Sequence, residues 1–103
     1  MKTFYGATFL AATELAKCNV YNPMKLEYYK IRQMKQKENK RYGIEIVKKM
    51  YKNKHVKIEK EKLLRITSSE EKVEKILEIL KKYQVTPIIL KDVIEDLEEQ
   101  FVF

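Results

Sequence analysis

The chain is poor in the residue types that most compact catalytic motifs need. Its 103 residues include only two glycines, two prolines, one cysteine and one histidine. Two glycines exclude most nucleotide-binding loops, which bring several backbone N–H groups close to phosphates. A lone cysteine cannot form an internal disulfide, in agreement with a reducing compartment. Zinc-ligand spacing, a P-loop and a serine elbow are also missing, so the sequence predicts no catalytic residue, no metal site and no cofactor.

The lone histidine and the lone cysteine give no support to covalent catalysis. Cys18 and His55 lie in different predicted elements, and a Cys–His pair needs the two side chains within hydrogen-bond reach. His55 stands beside a predicted turn and is interpreted as a solvated strand residue, whereas Cys18 is interpreted as an ordinary small apolar residue. We therefore expect no enzymatic activity and no small-molecule substrate.

Long apolar runs are missing as well. No segment approaches the ~20 apolar residues that a membrane-spanning helix needs. The first residues resemble the start of a signal peptide, but Glu14 and Lys17 interrupt the apolar run and no small-residue cleavage site follows. These features predict a cytoplasmic protein with no membrane partner.

Charge, by contrast, is abundant and unevenly distributed. The net charge is +7, with 17 basic and 6 acidic side chains in residues 1–65 but 5 basic and 9 acidic in residues 66–103. A basic half and an acidic half on one chain favour self-association. Lysine outnumbers arginine 19 to 3, a bias that is also typical of AT-rich genomes and of adaptation to heat. The positive charge therefore has an explanation that needs no partner.

The middle of the chain shows the alternation that is typical of half-buried strands. Three strands are predicted, over residues 25–34, 41–50 and 55–67. A polar connector at 35–40 and a turn at 51–54 join them, and such short connections favour an antiparallel meander. Gly43 inside the second strand predicts a bulge or a close backbone approach.

After residue 67 the apolar period becomes helical. Ser68 with Glu71 predicts a capping box at the start of a helix, and Pro87 ends that helix. Apolar stripes mark the two helices, formed by Val73, Ile76, Leu77, Leu80 and Tyr83 and then by Leu90, Val93, Ile94, Leu97 and Phe101. Because a sheet needs one face covered, the predicted fold is α+β: a three-stranded antiparallel β-meander followed by two α-helices packed on one face.

The first 24 residues have no clear period. The stretch "ATFLAATELAKC" is compatible with a short helix, and "KTFYGATF" with an additional strand. We therefore divide the chain into an N-terminal segment of uncertain structure, 1–24, and a single α+β domain, 25–103.

Three stretches carry a family resemblance: "RYGIEIVKK", "SSEEKVEKILEILKK" and "VTPIILKDVIEDL", in this order. They resemble a small family of uncharacterised bacterial proteins of clostridial type, over about residues 25–99. The most specific parts are Tyr42-Gly43-Ile44-Glu45-Ile46 and Thr86-Pro87-Ile88 with Asp92-Val93 and Glu95-Asp96. The resemblance implies the same order of elements and a bacterial cytoplasmic setting. It implies no catalytic residue.

A basic hairpin at residues 35–62 is one candidate surface. The alternation predicts that the apolar side chains face the helices: Tyr42, Ile44, Ile46, Val56 and Ile58. The opposite face would then show Arg41, Glu45, Lys49, His55, Lys57 and Glu59, with Tyr29 beside them. Such a surface can bind nucleic acid through phosphate contacts and base stacking. The candidate polyanion-binding residues are Lys48, Lys49, Lys52, Lys54 and Lys57.

Lysines on a small sheet also have a simpler interpretation. They protect edge strands against aggregation, and two glutamates on the same face reduce its basic character. Solvated sheet faces therefore stay the simpler explanation, and nucleic-acid binding is the alternative hypothesis.

A protein partner, or a second copy of the chain, is the first hypothesis for function. The contact is expected through the exposed sheet face, its edge or the acidic face of the last helix. The chain has more tyrosines than one small core needs, so Tyr28 and Tyr29 are predicted to contribute to an exposed contact surface. The last predicted helix has four acids on one face, which could contact basic residues of another surface. These acids are Asp92, Glu95, Asp96 and Glu99. The sequence thus favours an accessory or regulatory protein.

Overall fold

The fold places a four-stranded sheet first in the chain and two helices after it. The computed structural model describes residues 1–10, 23–33, 41–52 and 54–100. Its strands and helices are β1 (Lys2–Leu10), β2 (Met24–Arg32), β3 (Tyr42–Lys52), β4 (His55–Thr67), α1 (Glu70–Lys82), a 3-10 helix (Pro87–Ile89) and α2 (Leu90–Gln100). The predictions for Cys18, for the connector at 35–40, for Asn53 in the turn and for Phe101 lie outside the described residues.

The sheet is an antiparallel meander in the order β1-β2-β3-β4. The predicted α+β class is confirmed, but the predicted count of three strands is wrong. The additional strand is β1, which pairs with β2 from Lys2↔Ile31 to Leu10↔Met24. Alternation could not reveal β1 because it has aromatic residues on both faces, and only Gly6 in it is buried.

The core lies between one face of the sheet and the two helices. Leu26, Ile44 and Ile46 of the sheet are completely buried and belong to one cluster with residues of α1 and α2. From the helices come Val73, Ile76, Leu77, Leu80, Leu90 and Ile94. Both predicted stripes therefore pack on the same face of the sheet, although Tyr83 at the end of the first stripe is 68% exposed.

Tyr28 belongs to this core and not to the surface. Its side chain is completely buried, and its hydroxyl donates a hydrogen bond to the carbonyl of Val85 at 3.0 Å. Burial raises the pKa of Tyr28, since the phenolate would lose its hydration. The prediction that Tyr28 forms an exposed contact is therefore wrong. The ring fills the space under the segment that joins α1 to the 3-10 helix.

Strands β3 and β4 are irregular where Gly43 lies. Tyr42 pairs with Thr67 but Ile44 pairs with Leu63, so three residues of β4 lie opposite one residue of β3. Within this bulge Arg65 has a φ of 58°, a left-handed conformation that is uncommon for a side chain of its size. The bulge predicted from Gly43 is thus present.

The bulge also explains an error in the predicted faces of β4. Val56 pairs with Tyr51 and Ile58 pairs with Lys49, and these partners point away from the helices. Val56 and Ile58 are therefore on the uncovered face, with exposed fractions of 52% and 56%. The alternation is real, but these positions turn toward the core only within the bulge, where Ile66 is buried.

Helix α1 begins one residue later than the sequence predicts. Its N-cap is Ser69, whose hydroxyl oxygen accepts a hydrogen bond from the backbone N–H of Lys72 at 3.2 Å. Ser69 in turn donates its own N–H to the Thr67 hydroxyl oxygen. The predicted capping box of Ser68 and Glu71 is wrong, because Ser68 lies before the cap.

Candidate functional site

The face of the sheet opposite the helices, named here the open face, is the candidate site. The pairing register assigns to it Lys2, Phe4, Ala7, Phe9, Lys25, Glu27, Tyr29, Ile31, Glu45, Val47, Lys49, Tyr51, Val56, Ile58, Lys60 and Lys62. Every strand contributes because side chains alternate between the two faces of a sheet. No helix that the structure describes packs against this face.

Large apolar side chains are exposed on both outer strands of the open face. Phe4 is 55% exposed and Phe9 61% exposed on β1, while Val56 and Ile58 occupy β4. Phe4 also contacts the ring of Tyr29 edge-on, with 5.6 Å between centroids. Aromatic pairs of this geometry are stabilising, so the ring of Phe4 is held in place rather than free. The open face therefore presents fixed apolar groups to its surroundings.

Two glutamates on the inner strands are nearly buried among lysines. The carboxylate of Glu45 accepts a hydrogen bond from Lys2 at 2.9 Å, and this pairing raises the pKa of Lys2. Glu27 lies between Lys49, at 3.1 Å, and Lys25, at 3.6 Å. A carboxylate side chain with only 9% of its surface exposed needs such partners to stay charged. Because these lysines already pair with glutamates, their positive charge attracts an anionic ligand less strongly.

The predicted polyanion-binding lysines do not form one surface. Lys49 is on the open face, whereas Lys48 and Lys57 are on the helix side, each 3.6 Å from Glu59. Lys54 is exposed in the turn, and the side chain of Lys52 lies outside the described part. Glu59 was expected on the same face as Glu45, but it is on the opposite side of the sheet. The predicted basic surface is therefore divided between two faces and partly neutralised.

The four predicted acidic residues do lie together on α2. Asp92, Glu95, Asp96 and Glu99 are all exposed. Glu95 also borders a cavity of about 200 Å³ between α2 and the bulged end of β4. This acidic surface is on the helix side and shares no residue with the open face.

Neither a metal-binding cluster nor a membrane-spanning helix is present among the described residues. They include no group of three or more His, Cys, Asp or Glu side chains that could hold a metal ion. Among the described helices, none has the length and apolar character that crossing a membrane requires. His55 is exposed at the start of β4, so it is in no enclosed site. What the open face can do is pack against an apolar surface and pair its outer lysines with acids.

Sequence reasoning missed the main residues of this face. Phe4 and Phe9 were left in an unassigned segment, and Val56 and Ile58 were placed toward the core. One signal was available: two aromatic residues in a short stretch with Thr3 and Thr8 are typical of a strand. Tyr29, which was predicted to be exposed, is on the open face and half-buried by Phe4 and Lys2.

The comparisons with known proteins give a family and no activity. A family model described as "Family of unknown function (DUF6514)" matches residues 11–100. No curated protein and no solved structure matches the chain. The match agrees with the resemblance seen in "RYGIEIVKK" and the helices, while the bacterial source stays a prediction.

Proposed function

Because the chain belongs to this family of unknown function, DUF6514, we propose its function from the geometry alone. The protein is a non-enzymatic, cytoplasmic accessory or regulatory protein, and it acts by binding another protein through the open face. The lone cysteine supports the compartment. The main observation behind this proposal is that four large apolar side chains are exposed on one face of the sheet.

That exposure is unusual for a side of a sheet that none of the described helices covers. Antiparallel sheets that face water normally carry polar side chains on the wet side. Here Phe4, Phe9, Val56 and Ile58 are each more than half exposed on that side. They form two pairs, one on each outer strand, with charged side chains of β2 and β3 between them. Exposed apolar groups held on one face beside charged ones are typical of protein contacts.

The charged rim indicates the chemistry of the partner. Lys60 and Lys62 are exposed on the open face, and no described carboxylate lies within ion-pair distance of them. Lys2, Lys25 and Lys49 are occupied by Glu27 and Glu45. The partner surface should therefore have apolar groups placed to meet β1 and β4, and acidic residues placed to meet Lys60 and Lys62.

The test is a pull-down from a nuclease-treated lysate with three forms of the chain. We expect a partner bound by the wild type to be lost, at least tenfold, when Phe4→Ser and Phe9→Ser are combined, because interface aromatics dominate binding energy. Ile88→Ser is the matched control, since Ile88 is 76% exposed on the 3-10 helix. A partner that the double variant retains, or that Ile88→Ser loses equally, would contradict the proposal.

Nucleic-acid binding is the second proposal, and the exposed Lys54, Lys60 and Lys62 favour it. A fluorescence titration of single- and double-stranded DNA and of RNA would test it at low and physiological salt. Affinity should fall steeply with salt if lysine–phosphate contacts carry the binding. The pairing of Lys48, Lys49 and Lys57 with glutamates weighs against this outcome. A flat titration at low salt would eliminate it.

A further inference from the structure

Strand β4 is the last strand of the described sheet. In the part of the chain that the structure describes, β3 pairs with one side of β4 and no strand pairs with the other. An edge strand presents unpaired backbone N–H and C=O groups to any strand that approaches it. The pairing of β4 with β3 is regular from Lys52↔His55 to Ile44↔Leu63, so this edge is straight over most of its length.

The other edge of the sheet is less suited to pairing. On β1 the register shifts between Phe4 and Gly6, which leaves Tyr5 in a bulge. A bulge disrupts the ladder and turns an edge away from an incoming strand. Strand β4 has no irregularity and no proline between His55 and Leu63.

Strand β4 carries charges of both signs, so a second copy can pair with it without repulsion in a suitable register. The helix side has His55, Lys57, Glu59 and Glu61, and the open face has Val56, Ile58, Lys60 and Lys62. Lysines or a proline can protect an edge strand against pairing, but on β4 the lysines are interspersed with Glu59 and Glu61. The helix side of β4 is basic in its first half and acidic in its second half, so an antiparallel copy would meet it with opposite charges.

We propose that β4 pairs antiparallel with β4 of a second copy of this chain, about a two-fold axis at Ile58. Lys57, which also lies 3.6 Å from Glu59 of its own chain, is then opposite Glu59 of the second copy. His55 is opposite Glu61 of the second copy. On the open face Ile58 meets its own equivalent. The two four-stranded sheets become one continuous sheet, with the open faces of both copies on the same side.

Neighbouring registers are excluded by like charges. An axis at Lys57 places that lysine opposite its equivalent, and an axis at Glu59 does the same for two glutamates. An axis at Lys60 places Glu59 opposite Glu61 of the second copy. Directly opposite like charges are destabilising at cross-strand distances of about 4.5–5.5 Å. Among the axes from Lys57 to Lys60, only the one at Ile58 brings no like charges together between His55 and Glu61.

The dimer also accounts for part of the exposed apolar surface. Ile58 is 56% exposed and Val56 is 52% exposed in the single chain. Pairing at this edge brings the Ile58 side chains of both copies into contact, and the stem of Lys60 of the second copy covers Val56. The dimer therefore takes up the β4 part of the open face, whereas Phe4 and Phe9 lie on β1, at the far edge, and stay available for the proposed partner.

Single cysteines test the axis directly, in a Cys18→Ser background. In Ile58→Cys the two Cα atoms would be about 4.5–5.5 Å apart, within disulfide range. In Val56→Cys the equivalent positions would be about 13 Å apart, since four residues separate them along the strands. We expect a disulfide-linked dimer from Ile58→Cys and none from Val56→Cys or Lys60→Cys alone. A mixture of Val56→Cys and Lys60→Cys should cross-link. No cross-linking at residue 58, or equal cross-linking of the 56 and 58 variants, would overturn the proposal.

Charge reversal tests the register without any cross-link. Light scattering should give the wild type a mass that approaches twice 12.4 kDa as concentration rises. Lys57→Glu should shift it to the monomer, and adding Glu59→Lys should restore the dimer. Lys60→Glu is the control, because its opposite residue is Val56 and no like charges meet. A monomer at every concentration, or a dimer that ignores Lys57→Glu while circular dichroism shows folded chains, would contradict the pairing.

Discussion

At Gly43, strands β3 and β4 come closer than a side chain would permit. A Cβ atom added there would overlap the carbonyl oxygen of Leu63 and lie 2.9 Å from the Cα atom of Leu64. Both neighbours are backbone atoms of the bulge, so they cannot move aside as the end of a side chain can. The absence of a Cβ at this residue is what lets β4 fold back toward the core at Ile66.

We therefore expect Gly43→Ala to destabilise the protein by about 1–3 kcal/mol, the usual cost of forcing extra atoms into a packed site. The matched control is Gly6→Ala, whose Cβ would meet only the flexible end of Lys81, at 3.2 Å. Urea unfolding of both variants measures the difference. Equal destabilisation by the two substitutions would show that the bulge does not depend on Gly43.

Among the elements, helix α1 depends on a cap that the sequence places ambiguously. Two serines precede the helix, and both could accept a hydrogen bond from its first turn. The structure shows Ser69 in this role, with Ser68 exposed before it. Sequence alone could not decide, because the choice depends on where β4 ends and on the hydrogen bond from Ser69 to Thr67.

Ser69→Ala should reduce the free energy of unfolding by about 1 kcal/mol, since an N-cap hydroxyl satisfies a backbone N–H that otherwise has no partner. Ser68→Ala provides the control and should have little effect. Thermal unfolding followed by circular dichroism would compare the two. A larger loss of stability in Ser68→Ala than in Ser69→Ala would show that Ser68 is the N-cap.

The strands show why part of the sheet could be predicted and part could not. Alternation in β3 correctly placed Tyr42, Ile44 and Ile46 toward the helices. The same rule failed in β4, because Val56 and Ile58 are apolar on a face that no described helix covers. A period of two separates the two faces of a strand but does not say which face the helices cover. A bulge also exchanges the two faces from one part of the strand to the next. The sequence predicted a face away from the helices with Tyr29, Glu45 and Lys49 on it, but for this reason it placed Val56 and Ile58 on the other face.

For the molecule as a whole, the uneven charge of the sequence becomes a layered arrangement. The basic half of the chain forms the sheet and the acidic half forms the helices. Lys30 of the sheet joins them, at 3.0 Å from Glu74 and 3.6 Å from Glu70 of α1. Tyr42 adds a hydrogen bond from its hydroxyl to Glu70 at 3.0 Å. The separation of basic and acidic halves could be predicted from the sequence. The ion pairs between the sheet and α1 could be seen only in the structure.

This junction predicts a pH dependence. The hydrogen bond from Tyr42, aided by the charge of Lys30, lowers the pKa of Glu70 from its ordinary value of 4.5. Its contribution to stability is therefore present above that value and is lost as pH falls through the lowered pKa of the folded state. Tyr42→Phe should be less stable than the wild type near neutral pH, with a difference that shrinks in acid.

Denaturant unfolding across the acid range measures this difference. The control repeats Tyr42→Phe in a Glu70→Gln background, where residue 70 cannot titrate. There the effect of Tyr42→Phe on the free energy of unfolding should no longer change with pH. A difference between Tyr42→Phe and the wild type that stays constant with pH would separate Tyr42 from the ionisation of Glu70.

The order of sheet and helices along the chain has a consequence during synthesis. The ribosome produces the strands up to Thr67 before the helices that cover Leu26, Tyr28, Ile44 and Ile46. At about 5–20 residues per second, the stretch from the end of β4 to the end of α2 takes a few seconds to emerge. For that time the nascent sheet has neither face covered by its own helices. During this time we expect it to bind chaperones that shield apolar surface. Once α2 has emerged and packed on the sheet, that face no longer exposes its apolar side chains.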